Sequence, residues 1–221
     1  MSKTARQHMI NVQILRRGIS DQNILAAMGE VPREDFVEPG FDEYAYDDRA
    51  LPIAEGQTIS QPYIVAAMLD AAQLHGDDRV LEVGTGSGYS AAVLSRLVTE
   101  VFAIERHASL TEIAKERCRI LGYHNISFRT ADGTKGWPEA APFHAILVAA
   151  AAPAPPPSLK QQLTLGGRLI IPIGENPAQR LIRFTRLDRM NFKRDDLGGV
   201  NFVPLIGAEG WSQAERGPHK P

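Results

Sequence analysis

An α/β fold built on a parallel sheet is predicted by three observations. Between residues 79 and 174, short apolar runs alternate with segments of helical period. The first of those runs, "RVLEVG" (79–84), leads through "GTGSG" straight into a helical segment. The next run, "EVFAIE", ends in an acid, Glu105, 21 residues beyond Gly84. Alternating strands and helices require parallel strands joined by right-handed crossovers.

The elements follow in order. Residues 5–17 and 21–29 read as two helices broken at Gly18, with Ser20 or Asp21 as cap of the second and Gly29 and Pro32 as its stop. Residues 33–56 are punctuated by Pro39, Gly40, Pro52 and Gly56 and read as loop-rich. Residues 61–74 form a helix with Pro62 in its first turn. Then come strand 79–84, helix 89–98, strand 100–105 and helix 109–122, the last with Leu110, Ile113, Ala114, Cys118 and Leu121 on one face. Strands 126–132, 143–151 and 167–174 complete the alternation, and "PPSLKQQLTLGG" before the last reads as a helix ending at Gly166–Gly167. The remainder to residue 207 suits two or three hairpin strands. The expected organisation is one domain over 1–211: an N-terminal helical extension and loop (1–75), a ligand-binding core (76–175) and C-terminal strands (176–211). A disordered tail is expected at 212–221.

Composition narrows the function. The chain has 221 residues, 43% of them hydrophobic and 23% charged, with a net charge of −2. That is an ordinary globular balance, without the basic excess that marks nucleic-acid or anionic-membrane binding. No apolar run nears the ~18–20 residues that span a bilayer, and the N-terminus lacks the h-region of a signal peptide. One cysteine, Cys118, excludes an internal disulfide and suits a cytoplasmic protein. The six histidines form no H-x-x-x-H pair, so no metal is expected. "RLIRFTRLDRMNFKR" carries six basic residues, for which a solvated strand face is favoured over a phosphate-binding one.

The glycine loop is the first candidate site. Gly84, Gly86 and Gly88, with Thr85 and Ser87 between them, let the backbone turn sharply and approach a ligand closely. A carboxylate at the end of the next strand, Glu105, can accept hydrogen bonds from ribose hydroxyls. Two cofactor classes remain. Dinucleotide sites use G-x-G-x-x-G to bring pyrophosphate to a helix N-terminus. Here the spacing is G-x-G-x-G and Glu82 precedes it. A carboxylate there repels phosphate but can hold an amino group, which favours a cationic nucleoside such as S-adenosylmethionine. Asp132, ahead of Gly133, can either accept from an adenine amine or serve as a turn residue.

These residues lie in a chain that resembles the protein-L-isoaspartate O-methyltransferase family. The matching segments include "VPREDFV", "YDDRALPI", "GQTISQPYIVAAM", "RVLEVGTGSGYSAAVLSRLV", "VFAIER", "ADGTKGWPEAAPF", "GGRLIIPIG" and "VNFVPLIG". They run in order over residues 16–207, and "GQTISQPY" and "DGTKGWP" are the most specific of them. "MINVQILRRGI" is less charged than the family pattern, and "VAAAAPAPPPSL" is unusually rich in Ala and Pro. The resemblance implies a Rossmann-like methyltransferase fold with a mostly parallel seven-stranded sheet and helices on both faces. It also implies S-adenosylmethionine as methyl donor, a monomer, and isoaspartyl residues of damaged proteins as acceptors. The family's active-site serine falls on Ser60, with Thr58 beside it. Neither has a basic neighbour in sequence, and none is needed, because a carboxylate acceptor with a pKa near ~4 is already ionised. On this reading both hydroxyls hold the acceptor by hydrogen bonds. The alternative for Ser60 is a helix cap for 61–74. An RNA or small-molecule methyltransferase on the same fold is the competing function, and a non-catalytic module that binds isoaspartyl segments is a further one.

Overall fold

The computed structural model describes residues 2–212. The expected disordered tail, 212–221, lies outside them apart from Ser212. Helix α1 (Ser2–His8) continues as a wider turn over Met9–Ile14 and a tighter one over Leu15–Arg17. It ends at Gly18, whose φ of 99° needs glycine. Helix α2 (Gln22–Glu30) is capped by Asp21, whose Oδ1 accepts from Asn23 N (2.8 Å) and Ile24 N (3.2 Å). Gly29 lies inside this helix, and the stop comes at Val31, which takes an extended conformation before Pro32. The loop-rich segment 33–56 and the polar stretch after it hold a small antiparallel hairpin, β1 (Leu51–Ile53) and β2 (Gln57–Ile59).

Helix α3 (Pro62–Ala72) follows directly. Strand β3 (Arg79–Val83), helix α4 (Tyr89–Leu94), strand β4 (Glu100–Glu105), helix α5 (Ala108–Ile120), strand β5 (Ile126–Thr130) and strand β6 (Phe143–Val148) keep the predicted order. Helix α6 (Pro157–Gln161) corrects the sequence expectation, because it stops well short of Gly166. Leu163 pairs with Phe143 and is fully buried, so strand β7 runs from Leu163 to Ile173. The residues after Leu163 are taken up by a bulge: Phe143 faces Leu163 but Ala145 faces Arg168. Strands β8 (Arg180–Arg186) and β9 (Phe192–Gly199) form a closing hairpin.

The main sheet has seven strands in the order β5-β4-β3-β6-β7-β8-β9. All neighbours are parallel except β7–β8 and β8–β9. Alternate strand residues go to opposite faces. Val80, Ala103, Ala145 and Leu147 join α2–α5 in one apolar cluster, while Leu81, Ile104, Ile146 and Val148 join Leu159 of α6 in another. The chain builds outward from β3 through β4 to β5, then returns to β3's other side with β6. That reversal leaves a crevice beyond the carboxyl ends of β3 and β6, where ligands bind in open α/β sheets. Among the described residues, no helix is long and apolar enough to cross a membrane.

Candidate active site

The crevice is a cleft open to solvent. One wall comes from the sheet and the other from the β1–β2 hairpin. On the sheet wall, β3 ends in the glycine loop. Gly84 N donates to Ile104 O (2.8 Å), stitching the loop to β4. Gly84, Gly86 and Gly88 all have positive φ, as the tight turn requires. A Cβ on Gly88 would sit 3.1 Å from Ala114 Cβ, so this glycine serves the packing of the loop on α5. Gly88 does not line the cleft, whereas Gly84, Thr85, Gly86 and Ser87 do.

Glu105 closes this wall. Its carboxylate accepts from Gly86 N (3.0 Å), Arg106 N (2.7 Å) and His107 N (3.0 Å) and is buried. Three of its roughly four acceptor positions are therefore taken by the backbone, which holds the side chain rigidly between the loop and β4.

Glu82 lies under the loop. It is fully buried, lines the cleft, and its Oε2 has no hydrogen-bond partner. Burial pushes its pKa up to about 8, against the pull of Ser90 and Thr85, and the nearby Glu105 charge adds to the rise. An orphaned carboxylate oxygen in a cleft fits a cationic group better than a phosphate.

The hairpin wall carries Gln57, Thr58, Ile59 and Ser60. Among the described residues, the hydroxyls of Thr58 and Ser60 make no hydrogen bond. The cap alternative for Ser60 is not what the structure shows. The residue at the cap position is Gln61, which makes no side-chain cap bond, and Pro62 has no N–H to be capped. Instead Asp48 reaches across from the preceding loop, its Oδ1 accepting from Tyr63 N at 3.4 Å. Asp48 is itself held by Arg17 at 2.6 Å, and the Arg17 guanidinium lies 3.3 Å over the Tyr63 ring.

Asp132 is placed differently from the other candidates. It lies two residues beyond β5 and caps a turn over Gly133–Lys135. Its Oδ1 accepts from Thr134 N (2.9 Å) and Thr134 Oγ1 (2.7 Å), and its Oδ2 from Ala208 N (2.8 Å). Burial raises its pKa, but these bonds outweigh that and hold it below the usual carboxylate range. Gly133 lines the cleft; Asp132 stands one residue behind.

Sequence reasoning missed the far rim. Val203–Ile206 lines the cleft, brought there by bridges such as Pro204 to Ala151 beyond β6. No periodicity marks such a return; only its place among the family-like segments singled it out. Tyr89 and Arg106 were also missed. Among the described residues, no histidine, lysine, cysteine or aspartate lines the cleft, and no group of three or more His, Cys, Asp or Glu could hold a metal.

Sheet order, switch-point cleft and acid-flanked glycine loop together define a Rossmann-like methyltransferase. Comparison with known proteins sharpens the class. The family model for protein-L-isoaspartate(D-aspartate) O-methyltransferase matches residues 4–210, and the chain belongs to that family. It is 54% identical to protein-L-isoaspartate O-methyltransferase 2 of Pelobacter propionicus, over 93% of this chain and 92% of that one. It is 55% identical to protein-L-isoaspartate O-methyltransferase 1 of Geotalea uraniireducens, over 93% and 94%. Among solved structures, a protein-L-isoaspartate O-methyltransferase superposes with a TM-score of 0.85 at 31% identity, over 93% of this chain and 67% of the other. A Plasmodium falciparum protein described as a protein-L-isoaspartate O-methyltransferase, in complex with S-adenosyl-L-homocysteine, gives 0.79 at 27%, over 93% and 98%.

Proposed function

We infer that this protein is an S-adenosylmethionine-dependent protein-L-isoaspartate O-methyltransferase. It esterifies the free α-carboxylate of L-isoaspartyl residues in damaged proteins, and the ester then closes to a succinimide, which begins repair. The observation that carries this reading is the pairing of walls. A glycine loop with two buried acids, Glu82 and Glu105, faces two unbonded hydroxyls, Thr58 and Ser60, across one cleft.

S-adenosylmethionine supplies an activated methyl on a sulfonium cation. Glu82, Gly84, Thr85, Gly86, Ser87 and Glu105 would hold it, with Gly88 supporting the loop from behind. Glu82 Oε2 suits the cationic amino group, and a cation there would stabilise the ionised carboxylate that burial disfavours. Glu105 offers its remaining acceptor capacity to a ribose hydroxyl. Gly133 is at the adenine end, where Asp132 can contribute only the acceptor position its three internal donors leave.

Thr58 and Ser60 donate to the acceptor carboxylate and orient it. The acceptor arrives ionised, so nothing in the cleft has to remove a proton. Fixing carboxylate oxygen, methyl and sulfur in line can lower a barrier by up to ~7–11 kcal/mol. Methyl transfer joins an anion to a cation with loss of both charges, so a cleft that excludes water favours it.

The reading takes the chain as one domain over 1–211, acting as a cytoplasmic monomer without nucleic-acid or membrane partners. Pairing within the β8–β9 hairpin supports the nucleic-acid part: Arg180 meets Asp196 (3.0 Å), and Arg183 (2.9 Å) and Lys193 (3.0 Å) meet Asp195.

Two synthetic peptides that differ only in Asp against L-isoAsp test the function, with methyl incorporation followed by mass spectrometry. The isoaspartyl peptide should gain 14 Da and the aspartyl peptide should not. Equal methylation of both, or of neither, would overturn the reading.

A further inference from the structure

Glu55, at the tip of the β1–β2 hairpin, has φ 59° and ψ 20°. This left-handed conformation is unfavourable for any side chain with a Cβ and easy for glycine. The next residue, Gly56, has φ 63° and open space where a Cβ would be. A glycine at 55 would make the same turn without strain. A strained residue persists where its surroundings over-determine it, so the Glu55 side chain invites the question of what it holds.

Its carboxylate crosses to the other wall. One oxygen accepts from Ser109 Oγ at 2.5 Å, and the other lies 3.5 Å from His107 Nδ1. His107 and Ser109 open α5, directly after Glu105. His107 is anchored there, its backbone N–H donating to Glu105 itself. Among the described residues, no other hydrogen bond joins hairpin 51–60 to the wall of 82–109. Apolar packing adds to it: Leu51, Ile53 and Ile59 are buried in the core, and Ile53 Cδ1 lies 3.3 Å from the place where a Cβ of Gly86 would stand. The hairpin has only three paired positions of its own.

We propose that Glu55 is a positioning residue for methyl transfer: by clamping the hairpin to the start of α5, it holds Thr58 and Ser60 in register with the bound cofactor and slows cofactor release. The clamp acts through the hairpin and touches no reacting atom. It rests on the reading of the cleft as the methyl-transfer site.

The test uses Glu55→Gly, Glu55→Gln and Ser109→Ala in the full chain. Melting temperature, the dissociation rate of S-adenosyl-L-homocysteine and kinetics with the isoaspartyl peptide are measured on the same preparations. Glu55→Gly removes strain and clamp together. Its melting temperature should stay within about 3 °C of wild type or rise. S-adenosyl-L-homocysteine should leave roughly three- to tenfold faster, and kcat for the peptide should fall by a similar factor. Glu55→Gln keeps an acceptor for Ser109 and should recover part of both losses; Ser109→Ala should reproduce part of them without touching the turn. A merely structural residue would instead lower the melting temperature and leave release unchanged. A folded Glu55→Gly protein whose release rate and kcat stay within about twofold of wild type would overturn the clamp alone. A wild-type protein that binds no S-adenosyl-L-homocysteine would overturn the reading of the cleft, and the clamp with it.

Discussion

The two walls of the cleft are built by different means. The sheet wall is backbone held by backbone: the glycine loop is stitched to β4 at 2.8 Å, and Glu105 is fixed by three N–H groups. The hairpin wall is three residue pairs and a loop, tied to the rest by side chains: buried Leu51, Ile53 and Ile59, Asp48 to Tyr63 N at its base, and Glu55 to Ser109 at its tip. A wall of the first kind is rigid before any ligand arrives. One of the second kind can move without unfolding the sheet. On the proposed reading the reaction needs both, since the donor would be held by the rigid wall and the acceptor admitted, aligned and released by the other.

Substitutions can break this contrast in graded ways. The largest effect is expected from Glu105→Ala. It strips a charged acceptor from the cofactor and leaves three backbone N–H groups unpaired, so affinity for S-adenosyl-L-homocysteine should fall by about a hundredfold or more. The melting temperature should fall as well, and calorimetry beside thermal melts reads both. A folded variant with wild-type affinity would remove Glu105 from the site.

Ser60→Ala should behave in the opposite manner. Its hydroxyl supports no helix and bonds to nothing within the described protein, so stability should hardly change. Losing a hydrogen bond to a carboxylate costs about 1.5–3 kcal/mol, or roughly ten- to a hundredfold in kcat/KM for isoaspartyl peptide, with kcat sharing the loss. Cofactor affinity should stay within about twofold of wild type. A lowered melting temperature with normal turnover would restore the cap and end the catalytic role.

Glu82→Gln sharpens the comparison within the rigid wall. The folded pKa of Glu82, about 8, lies above its ordinary 4.5. The folded state therefore resists ionisation, and ligand-free wild type loses stability as pH rises from about 4.5 to about 8, then levels off. The glutamine variant escapes that loss. Below about pH 4.5 the two should differ little, and by pH 8 ligand-free Glu82→Gln should be more stable by on the order of 1–3 kcal/mol. Its affinity for S-adenosylmethionine should nonetheless fall, by roughly tenfold. Urea melts over that pH range decide the first point and titration calorimetry the second.

The smallest effect is expected from Asp132→Asn. The amide keeps one acceptor oxygen and loses the charge-assisted bond to Ala208 N. That should cost about 1–2 kcal/mol and loosen residues 207–209, which hydrogen exchange at Ala208 would register.

The contrast between walls also explains what the sequence revealed. Strands β3, β4 and β6 are short, mostly apolar runs and β5 alternates apolar and polar residues, so local pattern is enough to find them. The rigid wall was legible for the same reason, since its ligand-facing groups sit at strand ends. The hairpin wall was legible only as a polar motif. Strands of three residues carry too little periodicity to predict, and the partners of Glu55 and Asp48 lie 54 and 15 residues away. The misplaced end of α6 has a similar origin: Leu163 fits a helical face as well as a strand, and only its burial against Phe143 decides.

Asp132 and Gly133 have one more consequence. Among aspartyl dipeptides, an aspartate followed by glycine is the most prone to cyclise, because the small neighbour lets its own amide nitrogen reach the side-chain carboxyl carbon. The protein cannot change the neighbour: a Cβ on Gly133 would lie 2.4 Å from Val83 Cγ1. Protection falls instead to the three hydrogen bonds on the Asp132 carboxylate. They hold it turned toward Thr134 and Ala208, and they keep it ionised, the form least open to attack. An enzyme that mends aged proteins must itself age slowly, and here the docking of its C-terminal segment shields the most vulnerable bond beside its own cleft.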